Sequence, residues 1–100
     1  MSDTAVKSRD LVATRLKEPS KYKVILLNDD TTPVEFVIVL LISVFKHNQD
    51  AATAITLQIH NEGAGIAGVY TFEVAEQKAS EGTLLARNHN FPLVLKVEEA

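Results

Sequence analysis

Residues 28–33, Asn-Asp-Asp-Thr-Thr-Pro, constrain this chain more than any other stretch. Before them, Tyr22-Lys23-Val24-Ile25-Leu26-Leu27 is a short apolar run. It predicts a strand ending at about Leu27, because Asn and Asp side chains bond to their own backbone and favour turns. After them, Thr32-Pro33-Val34-Glu35 has the form of a capping box: Thr32 accepts from a first-turn N–H, Pro33 takes the first helical position and Glu35 reaches back to the cap. A helix is therefore expected from Pro33. Two carboxylates and an amide fall between strand end and helix start, with no lysine or arginine within a few residues to neutralise them. Turn and capping duty alone is one account of Asn28, Asp29 and Asp30; an electronegative notch for a cationic group is the other.

The run from Val34 to Phe45 is interrupted only by Glu35 and Ser43. At about a dozen residues it is too short to span a bilayer core of roughly 30 Å, so it belongs to a protein core. The helix is expected to continue through His47. It is apolar nearly all round, which leaves an outer patch for weak self-association. Asn48 caps a second helix with Asp50 in its first turn. Ala52, Ile55 and Ile59 share one face there, with Thr56 and His60 on an adjoining stripe, and Gly63 ends the helix in the left-handed conformation. The glycine-rich stretch from Gly63 to Tyr70 matches no phosphate loop and reads as a connecting turn leading into a strand over about Ile66 to Tyr70. Thr71 caps a third helix running to about Asn90. Gly82 inside it costs about 1 kcal/mol relative to alanine, which points either to close packing or to a looser second half. Phe91-Pro92 stops that helix, and Leu93 to Val97 form the last strand. The order is β-α-α-β-α-β: an α+β fold with a three-stranded antiparallel sheet and three helices packed on one face.

Composition narrows the function. With 100 residues, 46% hydrophobic and 23% charged, the chain suits one core. Residues 1–19 are polar and mixed in charge, read as a mobile tail before a domain over 20–100. A net charge of −3 argues against nucleic acid, which needs a basic stripe to displace phosphate counterions. The absence of cysteine removes disulfides, thiol nucleophiles and cysteine-bound zinc, and fits a reducing compartment. The opening Met1-Ser2-Asp3-Thr4 has no signal-peptide pattern, so the cytoplasm is the expected location.

The run Tyr22 to Asp30, then Thr32-Pro33 with Glu35-Phe36-Val37, Ile59-His60, Gly68-Val69, Glu73-Val74-Ala75-Glu76 and Pro92-Leu93, resembles the ClpS family, the adaptors of the bacterial Clp proteases. The similarity runs from Lys17 to the end. It implies a protein without catalytic activity or cofactor. Such a protein binds substrates with a bulky hydrophobic N-terminal residue (Leu, Phe, Tyr or Trp), called N-degrons, and hands them to an AAA+ unfoldase of the ClpA type. Carried onto this chain, the resemblance implies that Asn28, Asp29 and His60 hold the substrate's α-amino group. Asp30, Thr32, Val34, Val37, Thr56, Ile59 and Leu93 would then line the pocket for the first side chain. It places the unfoldase contact at Glu73 and Lys78 and makes residues 1–19 the segment that engages the unfoldase. Val34 and Thr56 stand where well-known members have methionine; the shorter side chains are expected to favour aromatic over Leu N-termini.

The chemistry of the residues agrees. An α-ammonium brings three donors and a positive charge, so its site needs acceptors and net negative charge, which Asn28, Asp29 and a neutral imidazole supply. Burial of one Leu or Phe side chain contributes about 1.5–3 kcal/mol and each charge-assisted hydrogen bond about 1.5–3 kcal/mol. Set against an association cost of about 4 kcal/mol or more, these predict micromolar to submicromolar binding. Binding is expected to weaken as acid protonates the His60 imidazole, which then repels the ammonium. Three other accounts stay open. His60 could serve only the helix dipole. A ribosomal-stalk-like interaction domain shares the same element order. Asp29 or Asp30 with His60 could act as an acid–base pair or as metal ligands, although no nucleophile and no HExxH-like spacing accompanies them.

Overall fold

The structure, a computed structural model, describes residues 20–100; the tail expected over 1–19 lies outside the described residues. The strand predicted before the Asn-Asp-Asp turn is β1, Lys21–Leu27. It occupies the centre of a three-stranded sheet. On one side it pairs antiparallel with β2, Ala64–Thr71, and on the other with β3, Val94–Glu99. Val24 and Leu26 point to one face and are fully buried, the two-residue period of a strand with one covered face. The register slips by one residue opposite Val24 and Ile25, leaving Ala67 of β2 without a partner across the ladder. A bulge of this kind orphans backbone polar groups, and the His47 ring, whose Nε2–H donates to the Ala67 carbonyl, supplies the missing bond.

The helices are α1, Val34–Ser43, α2, Gln49–Glu62, and α3, Phe72–Asn88. α3 touches all three strands and does so through Ala75, Ala79, Gly82 and Ala86. Gly82 settles its own question in favour of close packing: a Cβ there would lie 2.5 Å from Leu95 Cδ2. α1 and α2 pack against each other, with Val37, Leu40 and Leu41 facing Ala52, Thr56 and Ile59 in the interior. Thr56 is buried on that stripe, its hydroxyl satisfied by the Ala52 carbonyl at 2.8 Å, while His60 one turn on is exposed. Among the described residues no helix is long and apolar enough to cross a membrane.

Several boundaries differ from expectation. Thr32 does not cap α1. Pro33 is the N-cap, with extended ψ of 148° and no side-chain capping bond, and the Pro33 carbonyl takes the Phe36 and Val37 N–H groups. The helix also stops at Ser43 rather than His47. Its end is closed by Lys46 in the left-handed region at φ 63°, by the His47 N–H on the Leu41 carbonyl and by the Lys78 ammonium on the Val44 carbonyl at 2.8 Å. Part of the apolar outer face expected of α1 is covered by its own chain, Phe36 packing edge-on to Phe91 and tilted against His89 with centroids 4.9 and 5.3 Å apart, while Val34 and Val39 stay exposed at 50 and 55%. Ile38 and Ile42 pack against the core. β2 begins at Ala64, earlier than the expected Ile66. Asn48 and Gly63 cap α2 as predicted, Asn48 accepting from the Ala51 N–H at 2.8 Å and Gly63 adopting φ 87°. Thr71 precedes α3 without a side-chain capping bond.

Candidate functional site

The turn after β1 is organised by Asp29. Its Oδ1 accepts from the N–H groups of Thr31 and Thr32 at 2.8 and 2.7 Å, and its Oδ2 accepts from the Thr32 hydroxyl at 2.8 Å. The Thr32 hydroxyl donates its one hydrogen to this carboxylate, and with Pro33 as the N-cap Thr32 lies one residue before the position from which a side chain accepts a first-turn N–H. Burial pushes the Asp29 carboxyl up, but the Thr32 and Thr31 N–H bonds, the Thr32 hydroxyl and the charge of Arg87 together outweigh it and hold its pKa below the ordinary value. An ionised carboxylate has about four acceptor positions; three are used within the turn, so acceptor capacity remains for one further donor. The cation judged absent from the local sequence arrives through space, from Arg87 in the last turn of α3.

A backbone bond brings the second half of the site alongside. The Asn28 N–H donates to the Gly63 carbonyl at 2.9 Å, tying the strand end to the glycine that closes α2 three residues after His60. Asn28, Asp29, Asp30, Thr31, Thr32, Pro33, Val34 and His60 consequently line one open cleft of about 480 Å³. Val34 stands half exposed on it. Of the ten residues implied for substrate contact, six meet in this cleft. The other four, Val37, Thr56, Ile59 and Leu93, are buried at 6, 5, 3 and 1% exposure and are not among its lining residues. Thr31 and Pro33, which sequence reasoning passed over, complete the lining; their place between Asp30 and Val34 was the available signal.

The third helix carries the other two implied residues. Glu73 is exposed in its first turn. Lys78 is part-buried, its ammonium on the Val44 carbonyl and 5.6 Å from the centre of the Tyr70 ring. Of its three donors one is thus committed inside the molecule. His89 Nδ1 lies 3.0 Å from the Leu85 carbonyl, and His47 bonds to Ala67, so both have partners within the fold. Among the described residues no three His, Cys, Asp or Glu side chains are grouped to hold a metal ion. A groove of similar size, about 470 Å³, runs between α3 and β3 and includes none of the cleft residues.

Fold and cleft together define a small α+β domain that carries an open cleft where a polar strand-to-helix turn meets a helix end. The family model described as ATP-dependent Clp protease adaptor protein ClpS matches residues 17–96. The chain belongs to the ClpS family of Clp protease adaptors. It is 48% identical over 86 residues to the ATP-dependent Clp protease adapter protein ClpS of Helicobacter hepaticus, covering 86% of this chain and 87% of that one. It is 47% identical over 94 residues to the ClpS of Campylobacter jejuni subsp. doylei, covering 94% and 98%. The structure of Agrobacterium tumefaciens ClpS2 bound to L-phenylalaninamide superposes with a TM-score of 0.80 at 40% identity, over 83% of this chain and all of that one. Family membership separates the chain from the ribosomal-stalk-like alternative, which element order alone could not do.

Proposed function

We propose that this protein is a non-enzymatic adaptor that binds the free α-amino group and bulky hydrophobic first side chain of N-degron substrates and passes them to an AAA+ unfoldase of the ClpA type in the cytoplasm. The observation that carries the reading is the convergence of Asn28, Asp29, Asp30, Val34 and His60 on one open cleft. An ammonium donated into it meets acceptors and net negative charge, with Arg87 opposing it from outside the lining. L-phenylalaninamide, the ligand of the A. tumefaciens relative, has the chemistry expected of such a substrate: a free α-amine beside one aromatic side chain. In this reading Asn28, Asp29 and His60 take the amine, with Asp30, Thr32 and Val34 at the rim of the side-chain pocket. Val37, Thr56, Ile59 and Leu93 form the apolar depth that a first side chain reaches by parting the rim. Glu73 and the two uncommitted donors of Lys78 face the unfoldase.

The deciding experiment titrates the protein with a labelled peptide beginning with Phe and with its N-acetylated twin. The free-amine peptide is expected to bind with micromolar to submicromolar affinity and the acetylated one not at all, because acetylation removes both the charge and two of the donors. Equal binding of the two overturns the reading.

A further inference from the structure

Arg87 lies outside the cleft lining and bonds to the segment that leads into β3. Its Nη1 donates to the Phe91 carbonyl at 2.8 Å and to the Leu93 carbonyl at 2.9 Å. Both carbonyls belong to the irregular stretch between α3 and β3, where no helix or ladder partner is provided for them. That stretch presents Leu93 to the interior and packs Phe91 edge-on against Phe36 in the first turn of α1. The same Arg87 shares a hollow of about 430 Å³ with Thr31 of the Asp29 turn, walled by Asn90, Phe91 and Pro92. One guanidinium therefore stands where the segment before β3 and the turn after β1 come together.

We propose that Arg87 is a positioning residue for the cleft: by clamping the Phe91 and Leu93 carbonyls beside the Asp29 turn, it holds in register the two segments that a bound N-terminal residue contacts at once. The inference rests on the reading of the cleft as an amine and side-chain site. Arginine suits the task because the two hydrogens of its Nη1 are held in the guanidinium plane, each aimed at one carbonyl, while its charge stays fixed, whereas lysine brings a freely rotating point charge. The charged and titratable groups on the elements meeting here are Asp29 and Asp30 in the turn, Glu35 in the first turn of α1, His60 and Glu62 at the end of α2, and Arg87 and His89 at the end of α3. Of these, Arg87 is the one whose charge adds to the Thr32 and Thr31 bonds in lowering the Asp29 carboxyl, so its removal is expected to raise the pH at which Asp29 takes up a proton.

The test compares Arg87→Met and Arg87→Lys with the unaltered full-length protein. It follows affinity for the Phe peptide from neutral to acid pH, thermal melting, and the NMR titration of the Asp29 carboxyl carbon without peptide. In Arg87→Met, affinity is expected to fall about fivefold or more at neutral pH and Asp29 to titrate at higher pH. In Arg87→Lys the Asp29 titration is expected to return toward that of the unaltered protein while part of the affinity stays lost. An unmoved Asp29 titration in Arg87→Met, with or without a drop in melting temperature, overturns the proposal by reducing Arg87 to a fold-stabilising residue. Should Arg87→Met fail to fold, Arg87→Lys decides, since full affinity there rules out the need for the planar guanidinium donors. If the unaltered protein ignores the peptide altogether, the adaptor reading fails on its own. The peptide-free titration of Arg87→Met then still upholds or overturns the coupling of Arg87 to the turn.

Discussion

Asp29 and Thr32 are joined twice, backbone N–H to Oδ1 at 2.7 Å and hydroxyl to Oδ2 at 2.8 Å. The pair shapes the cleft more directly than any contact inside the adjoining helices, because it fixes how the strand end turns into Pro33. A carboxylate engaged this way is ordered before a ligand arrives, so its remaining acceptor position is presented at little further entropic cost.

Thr32→Val keeps the size and branching of the side chain and removes only the hydroxyl. Stability is expected to fall by about 1–2 kcal/mol, the lower part of the range for bonds to charged groups because the pair is only part-buried. Urea unfolding of the two proteins at neutral pH checks this, and an unchanged midpoint would show that the hydroxyl bond contributes nothing.

Acidification addresses the same carboxylate. The folded-state pKa of Asp29 is depressed, so its stabilising contribution is complete above its unfolded value of about 3.9 and is lost as pH falls through the lower folded value. Asp29→Asn is therefore expected to be less stable than the unaltered protein at neutral pH, with the gap closing below about pH 4. Unfolding midpoints at neutral and acid pH make the measurement; a gap that is constant with pH contradicts the assignment.

Much of this arrangement is legible in the chain and some of it is not, for identifiable reasons. The end of β1 at Leu27 and the caps of α2 at Asn48 and Gly63 follow from local chemistry, since the residue types that stop or start an element stand at the stopping points. The end of α1 is illegible because the left-handed residue that closes it is Lys46, not glycine, and because the donor that satisfies Val44 comes from Lys78, 34 residues away. The bulge at Ala67 has no marker residue either; its partner is His47, 20 residues distant. In the cleft, Asn28, Asp29, Asp30 and Thr32 fall within one stretch of five residues and are legible directly. The meeting with His60 needed the Asn28–Gly63 backbone bond, which side-chain patterns do not encode. Thr32 differs from its expected capping role because the Asp29 carboxylate takes both its N–H and its hydroxyl hydrogen into the turn, and the helix starts one residue later, with Pro33 as N-cap. Val37, Thr56, Ile59 and Leu93 were named through family resemblance alone, and their spacing said only that they are apolar or small enough for a core.

Two glycines make opposite predictions. A Cβ on Gly65 would stand 2.7 Å from Ile59 Cγ1 and 3.3 Å from the Ile55 carbonyl. Ile59 is buried and β-branched, so it cannot swing aside. Gly65→Ala is expected to cost about 1–3 kcal/mol by overpacking and to disturb His60, the next residue on α2. At Gly82 the obstacle is the tip of Leu95, which is only partly buried and free to rotate. The gain in helix propensity, about 1 kcal/mol, then nearly offsets the crowding. Thermal melts of the two variants separate them, and equal losses would refute the distinction.

Lys78 and Glu73 differ in what they do for the free protein. Lys78→Met keeps the aliphatic stem but withdraws the donor from the Val44 carbonyl, with an expected loss of about 0.5–1.5 kcal/mol. Glu73→Gln, on an exposed first-turn position, should stay within about 0.5 kcal/mol of the parent. Chemical denaturation of both, done before any unfoldase-binding assay, shows how much of a Lys78 defect is folding; equal stability of the two would return Lys78 to a purely external role.

Val34 bears on which N-termini are preferred. It is 50% exposed on the cleft, and in the adaptor reading it stands at the rim where a first side chain enters. Valine is short and stiff at χ1, so it cannot fold over a small occupant as a thioether can. A flat aromatic ring fills the wider entrance and keeps its contacts, whereas Leu leaves part of the space without partner atoms and forfeits their dispersion attraction. Peptides beginning with Phe are therefore expected to bind several-fold more tightly than those beginning with Leu, a difference of about 1 kcal/mol. Val34→Met should narrow the gap mainly by improving Leu. Parallel titrations of the two peptides against both proteins measure it. Equal affinities in the unaltered protein, or a Met variant that weakens both peptides alike, would remove Val34 from the determinants of specificity.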